Sequence, residues 1–459
     1  MDIQTQRILF GAAGSGSEVD PGYAIEHTTN AIDHAVEPYI NGGKDVAVFL
    51  SYGNQLAKFD ADGIVDWNVL VSTGTDQTTL AVDDSGAYVF YPSGRDLIAV
   101  SQTGTKRWTA DYNASAGGGE SFNSRGAMCH TPGYVGMVMA GFPGPFAGQS
   151  GSQYAIPWFA SAYASNGSPV FNLAGSTAGT RAWYLRNNSE DNNTGEARYI
   201  RVKPDPSSPA GLCTVYNSYE TGRISFWRWT TYLTSFSQSG RWRGQASSLS
   251  NLELATDPSG NAYITDTVYG GTYYNARIVK FNTSNNVVWN LDLYASTSNV
   301  WVLDIAADDE AVYAVIRGLT KNIKLVKFDA STGAEIYEIN IYANFNNMNG
   351  YSKSYISLGV DHVYITLPYA GFIKLPKDGS TIGSWGVVTL SNTNEINSNI
   401  SAGVSWSAQS QLTMSAPYYG PQDANNPQYG DEYYNCLLKP NSDTINPVTN
   451  FFNSKLSFE

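Results

Sequence analysis

The sequence predicts an all-β chain folded as a single β-propeller of four-stranded antiparallel blades. Three observations predict it. The first is a repeated hairpin: Arg277-Ile-Val-Lys-Phe-Asn and Lys324-Leu-Val-Lys-Phe-Asp each begin a short apolar strand. Each then turns through polar residues at Asn285 or Gly333 and returns with a large aromatic, Trp289 or Tyr337. Such turns need residues that tolerate positive φ, and an aromatic four positions on comes back to the buried face. The second is a different hairpin between the two copies, Val302 to Ile316. One hairpin of each type makes four antiparallel strands within roughly fifty residues, the size of one propeller blade. The third is composition. The 459-residue chain is 42% hydrophobic and 13% aromatic, with 44 Gly and only 15% charged residues. That mix suits twisted sheets with many turns and excludes disorder, which needs high charge and few aromatics.

Taken in order, the first 32 residues read as an extended Gly/Ser-rich arm and residues 33–459 as the propeller. In the arm, Arg7, Ile8, Leu9 and Phe10 precede Gly and Ser residues and form the expected docking segment. A segment of this kind gains order by docking on something else. The apolar core of a secretory signal is missing here. The first blade follows, with His34 to Ile40 and Asp45 to Ser51 flanking Asn41-Gly-Gly and a second hairpin from Leu56 to Trp67. The next runs from Leu80 through Gly104 to Trp108. Later copies are degraded: Gly167 and Phe171 are again four apart, Gly240 and Trp242 are closer, and Val404 to Met414 with Cys436-Leu-Leu-Lys-Pro read as a decayed last blade. Turns at Gly63, Gly104, Gly167, Gly240, Asn285, Gly333, Gly379 and Ser442 count to eight blades, with seven as the alternative.

The second hairpin resembles the repeat of quinoprotein-like propellers, the family that includes the PQQ-dependent dehydrogenases and a non-catalytic outer-membrane assembly lipoprotein. The resemblance is carried by Asp60, Gly63 and Trp67, by Thr103, Gly104 and Trp108, and by Asp329, Thr332, Gly333 and Tyr337. It implies that the aromatic packs between neighbouring blades. The dehydrogenases' adjacent cysteine pair is absent, because Cys129, Cys213 and Cys436 stand far apart. No cofactor is therefore expected. Separately, the opening Gln6-Arg-Ile-Leu-Phe-Gly-Ala-Ala-Gly-Ser-Gly resembles the short Arg-apolar-Gly-Ala-Gly starts of tailed-phage virion proteins, tail fibres and related appendages.

Long intervals between turns place loops near 109–153, 177–231 and 391–434, and extra residues in a repeat commonly form its binding surface. The candidate binding residues are Trp183, Tyr184, Tyr216, Tyr219, Trp227 and Trp229 in the second stretch, and Tyr418, Tyr419, Tyr433 and Tyr434 in the third. Aromatic faces suit sugar rings, and Tyr, Trp and Arg suit protein interfaces equally. The alternative for Ile224-Ser-Phe-Trp-Arg-Trp is ordinary blade packing. Aspartates such as Asp83, Asp84, Asp257, Asp308 and Asp309 recur in the turns, where Asp caps its own backbone. No metal site, Ser-His-Asp set or phosphate loop is expected from the motifs.

The formal charge of −13 argues against a nucleic-acid partner. No apolar run is long enough for membrane insertion. These readings favour a non-enzymatic phage virion protein, made in the host cytoplasm and present in several copies. It would attach to other virion proteins through its arm and present loops to a host-surface glycan or protein. The alternatives are a carbohydrate- or protein-binding propeller outside a virion, and a polysaccharide hydrolase or lyase.

Overall fold

The structure is a computed structural model. It describes residues 20–27, 34–52, 55–70, 80–83, 86, 88–93, 96–114, 127–131, 133–141, 156–167, 183–184, 197–208, 211–218, 223–231, 237–245, 252–269, 271–318, 321–346, 348–350, 352–401, 407–408, 434–439, 446–447 and 455–458. The described strands fall into seven hydrogen-bonded antiparallel sheets. We number them I to VII by chain order of their innermost strands: His34–Asn41, Ala81–Val82, Ala127–Thr131, Ala197–Asp205, Leu254–Thr256, Val302–Ala307 and Ile356–Leu358. Each innermost strand touches the next, and the seventh touches the first. The sheets therefore close a ring around an axis, which is a β-propeller.

The repeated hairpin explains the ring's regularity. In sheets I, II, V and VI the ladder between third and fourth strands slips by one residue at the same place, at Lys58/Phe59, Ala99/Val100, Lys280/Phe281 and Lys327/Phe328. A left-handed residue stands in each of these turns: Gly63 (φ 77), Gly104 (φ 76), Asn285 (φ 65) and Gly333 (φ 73). Glycine adopts this geometry at no steric cost, and the bulge twists the hairpin. Of the recurring turn aspartates, Asp257 Oδ1 accepts from the amide of Asn261 (2.8 Å) and Asp308 Oδ1 from those of Glu310 and Ala311 (3.1 and 2.8 Å), whereas Asp309 Oδ1 accepts from Ser259 of sheet V (2.9 Å) and Asp84 lies outside the described residues. In the second hairpins Asp60 Oδ1 accepts from the amides of Asp62 and Ile64 (3.0 and 2.8 Å), and Asp329 Oδ1 from those of Ser331 and Thr332 (3.0 and 2.7 Å).

The aromatic four residues past the turn lies on the turn of the neighbouring sheet. A Cβ on Gly104 would stand 2.9 Å from the Trp67 ring, on Gly167 2.4 Å from Trp108, and on Gly379 2.8 Å from Tyr337. Each ring also donates a hydrogen bond across the gap: Trp67 Nε1 to Gln102 O (2.7 Å), Trp108 Nε1 to Ala164 O (3.0 Å), Trp289 Nε1 to Ala330 O (3.2 Å) and Tyr337 Oη to Lys377 O (3.1 Å). Four residues after Gly379 the chain has Gly383, which offers no ring. Tyr23 supplies it instead, with its ring 2.6 Å from where a Gly63 Cβ would be.

That substitution follows from how the ring closes. Tyr23–Glu26, expected to belong to the extended arm, pairs with Gly371–Pro376 as the fourth strand of sheet VII. After the last turn the chain goes back around the ring in reverse. Val388–Asn392 pairs on sheet VI, Asn397–Ser401 on V, Ser407–Ala408 on IV, Tyr434–Lys439 on II, Asn446–Pro447 on I and Leu456–Ser457 on VII. The two ends of this belt meet, with the Trp385 and Phe458 rings 4.8 Å apart. Glu338, on the outer strand of sheet VI, anchors its start by accepting from the amides of Glu395 and Ile396 (3.0 and 2.9 Å).

The belt and the ladders of sheets III and IV correct several expectations. The eight-blade count fails because Cys436 and its neighbours belong to the belt strand on sheet II and not to a last blade. The stretch 177–231, expected as a loop, carries Trp183–Tyr184 of sheet III and Ala197–Asp205, Gly211–Ser218 and Arg223–Thr231 of sheet IV. Likewise 109–153 contains Ala127–Thr131 and Tyr134–Gly141 of sheet III, and 391–434 contains belt strands. Gly240 is no turn, since it pairs with Arg228 within the ladder. Polar and glycine-rich strands hid these elements, because the expected alternation is weak when both faces of a blade are covered.

Gly42 (φ 59) has open space where a Cβ would go, whereas Gly63 does not. Gly42→Ala should cost about 1 kcal/mol of backbone strain. Gly63→Ala must also push aside the Tyr23 ring, adding about 2 kcal/mol or more. Denaturant unfolding of the two variants checks this, and equal losses would contradict the clamp.

Candidate functional site

The structure separates the sequence-predicted binding residues. Trp227 and Trp229 are buried (1% and 0% exposed) on the third strand of sheet IV, with rings 5.3 Å apart. Trp229 Nε1 donates to Thr214 Oγ1 (3.1 Å). They pack the blade and present nothing to a ligand. The arginine between them is also internal: Arg228 Nη1 reaches Asp205 Oδ2 and Gly260 O, both at 2.9 Å, joining sheets IV and V. Trp183 and Tyr184 pair with Phe159 and Trp158 on sheet III, Tyr216 pairs with Ser225 on sheet IV, and Tyr434 pairs with Ala114 on sheet II. Tyr219, Tyr418, Tyr419 and Tyr433, with Arg7, Ile8, Leu9 and Phe10, lie outside the described residues. Of the cysteines, Cys213 is buried in sheet IV.

Near the axis stands a charge cluster that the sequence reading missed. Arg201, on the inner strand of sheet IV, makes a two-pronged bond to Glu253 before sheet V: Nε to Oε2 at 2.5 Å and Nη2 to Oε1 at 2.9 Å. Lys353, before sheet VII, bonds the same Oε1 and donates to Leu303 O (2.6 Å) of sheet VI. Asp304 of sheet VI accepts from the amides of Ile305 and Ile356, both at 2.9 Å. Glu37, on the inner strand of sheet I, feels Lys203 of sheet IV and Asp304 of sheet VI. One network thus links five inner strands or their approaches. Its signal in the sequence is a lone charge among apolar neighbours, as in Leu252-Glu-Leu and Leu303-Asp-Ile.

Environment splits these carboxyls. Burial would raise Glu253, but Arg201 and Lys353 outweigh it and hold the group below its ordinary range. Burial, reinforced by Glu253, pushes Asp304 up to about 6. Burial also raises Glu37. Away from the axis, burial lifts Asp266 to about 7 against the pull of Arg277. Arg201 and Lys353 are both committed to Glu253, so the cluster acts chemically as a staple. Among the described residues no group of three or more His, Cys, Asp or Glu side chains is placed to hold a metal ion.

The face carrying the hairpin turns is the other organised surface. The registers Ala47↔Asp60, Ala311↔Asp329 and His362↔Pro376 put both turns of a sheet at the same end. Just past the third-to-fourth turns stand exposed aliphatics in neighbouring sheets V, VI, VII and I: Val288 (47%), Ile336 (53%), Ile382 (39%) and Ile64 (62%). Exposed carboxylates lie among them at Asp62, Asp309, Glu310, Asp361 and Asp378. The N-terminal segment joins the ring on this face. Lys374 Nζ holds Asp20 Oδ2 at 2.6 Å and Thr381 Oγ1 donates to Pro21 O (2.8 Å).

Ring, clamps and belt define the class: the chain is a β-propeller. No family model matches it, and no curated protein does. Among solved structures it is similar to the WD40 β-propeller domain of Doa1, with a TM-score of 0.42 and 11% identity over 77% of this chain and 96% of that chain. It is also similar to the Neurospora crassa Pan2 WD40 domain (TM-score 0.39, 9% identity, 78% and 90% covered). A third is a Bacteroides caccae protein of unknown function (TM-score 0.34, 9% identity, 70% and 94% covered). Likeness at this level carries no argument about activity.

Raised carboxyls bind protons more tightly in the folded chain than in the unfolded one. Their contribution is fully present below pH ~4 and is lost as pH rises through the folded values of about 6 and 7 for Asp304 and Asp266. Stability should fall between pH 5 and 8 by on the order of 4 kcal/mol. Asp266→Asn should flatten that fall in thermal unfolding, and an unchanged slope would contradict the assignment.

Proposed function

We propose that the protein is a non-catalytic phage virion component, a tail-associated propeller that attaches through its N-terminal arm and presents loops for host-surface or virion-protein binding. The observation supporting this reading most is where the arm leaves the ring. Asp20 is tied to sheet VII on the turn face by Lys374. The strand ends joined by segments 115–126, 142–155 and 185–196 lie at the opposite end of their sheets. A propeller tethered on one face, with further connections departing from strand ends on the other, is suited to standing between a particle and a surface. Propeller rings are rigid, so loops on one face keep their spacing.

Binding of fluorescently labelled protein to a panel of bacterial cells and isolated surface glycans tests this. Saturable binding is expected to some strains, falling about tenfold or more when Tyr418 and Tyr419 are replaced by Ala. Trp227→Ala tests only packing, because that ring is buried. Absence of binding to every surface would remove the attachment role, and shortening of the glycan chains would favour a polysaccharide-degrading enzyme instead.

A further inference from the structure

We propose that the acidic, aliphatic-studded arc of the turn face is the docking surface for the chain's own segment Arg7–Phe10. This contact rests on reading the arm as a docking segment and adds where that segment lies in the isolated protein.

Three observations converge. First, the arm starts on this face, within the arc and between its sheet VII and sheet I members. Asp20 and Pro21 are fixed by Lys374 and Thr381, and the Tyr23 ring beneath them covers Gly63. Ile382 follows Thr381 directly, and Ile64 follows Gly63. The point of departure thus has an exposed aliphatic on either side, one beside sheet VII and one on sheet I.

Second, the reach is sufficient. Phe10 is ten residues from Asp20, a span of at most about 33 Å when extended. Three of the residues between are Gly, at 11, 14 and 16, with Ser15 and Ser17 among them. Such a linker folds back without strain.

Third, the chemistry is complementary. Arg7 is the one basic side chain of residues 1–19, and Ile8, Leu9 and Phe10 follow it without a break. The arc offers carboxylates at Asp62, Asp361 and Asp378 beside Ile64 and Ile382, and Asp309 and Glu310 nearer Ile336. In the turns of sheets V, VI, VII and I the exposed described cation is Lys44. Lys377 is occupied by Asp308 (2.9 Å) and Lys58 by Asp66 (2.7 Å). A cation leading an apolar triplet matches aliphatics rimmed by exposed carboxylates. Docked in this way, the arm covers exposed apolar surface until a partner that binds Arg7–Phe10 more tightly displaces it.

The test uses the full chain with the photo-crosslinking residue p-benzoylphenylalanine in place of Phe10, irradiated at high dilution as an equal mixture of isotopically light and heavy copies. Crosslinks are expected within single copies, to residues of the turns 60–64, 333–336 and 378–382. Ile64→Ser with Ile336→Ser, or Asp62→Lys with Asp361→Lys, should lower their yield about tenfold. Thermal unfolding should stay unchanged, since all four side chains are exposed. Crosslinks between light and heavy copies, crosslinks scattered over the ring, or yields indifferent to these substitutions would overturn the proposal. The readout involves no particle and no host surface, so its failure leaves the cell-binding result untouched.

Discussion

An aromatic ring lying on a turn of the next sheet is the contact on which the rest of the ring depends. It requires a large flat side chain four residues past one turn and no side chain at the neighbouring turn. Trp67 on Gly104, Trp108 on Gly167 and Tyr337 on Gly379 meet both conditions, and in each pair the ring donates a hydrogen bond across the gap. The left-handed conformation that lets glycine make the turn also removes the Cβ that would lift the ring away. One residue type thus serves local geometry and inter-sheet packing together. Where the clamp lacks its own ring, after Gly379, the N-terminal strand brings Tyr23 to the vacant position on Gly63.

Closure by that strand leaves each sheet with an outer edge of unpaired backbone groups, which templates aggregation if left open. The C-terminal belt covers those edges in sheets VII, VI, V, IV, II and I with strands of two to six residues. Short strands gain little alone, so the belt depends on fixed points. Glu338 holds its start, and Phe458 against Trp385 joins its end to its beginning. The axial network is the inner counterpart, with Glu253 drawing Arg201 and Lys353 from two other sheets.

Much of this was legible in the sequence where the pattern is local. The hairpins at Gly63, Gly104, Asn285 and Gly333 announce their turn and their returning aromatic within a dozen residues. The turn aspartates were readable for the same reason. Sheet IV was not, because Trp227, Arg228 and Trp229 look like a binding surface until Asp205 and Thr214 are seen to take their polar atoms. The belt was illegible in principle: Cys436-Leu-Leu-Lys has the pattern of a strand, and nothing local says that Tyr112 to Thr109 is its partner. A strand's partner is set by closure of the whole ring, and the miscounted last blade followed from that. The axial cluster was equally hidden, since Arg201, Glu253 and Lys353 meet only when the inner strands surround one axis.

Native-state hydrogen exchange tests the central claim most directly, because it reports the stability of individual strands within the intact ring. The account predicts that the amides of Tyr23–Glu26 exchange as slowly as those of His362–Leu367 and Gly371–Pro376, since one cooperative opening must expose them all. The two-residue belt strands should exchange sooner. Fast exchange of Tyr23–Glu26 beside a protected Gly371–Pro376 would contradict closure of the ring by its N-terminal strand.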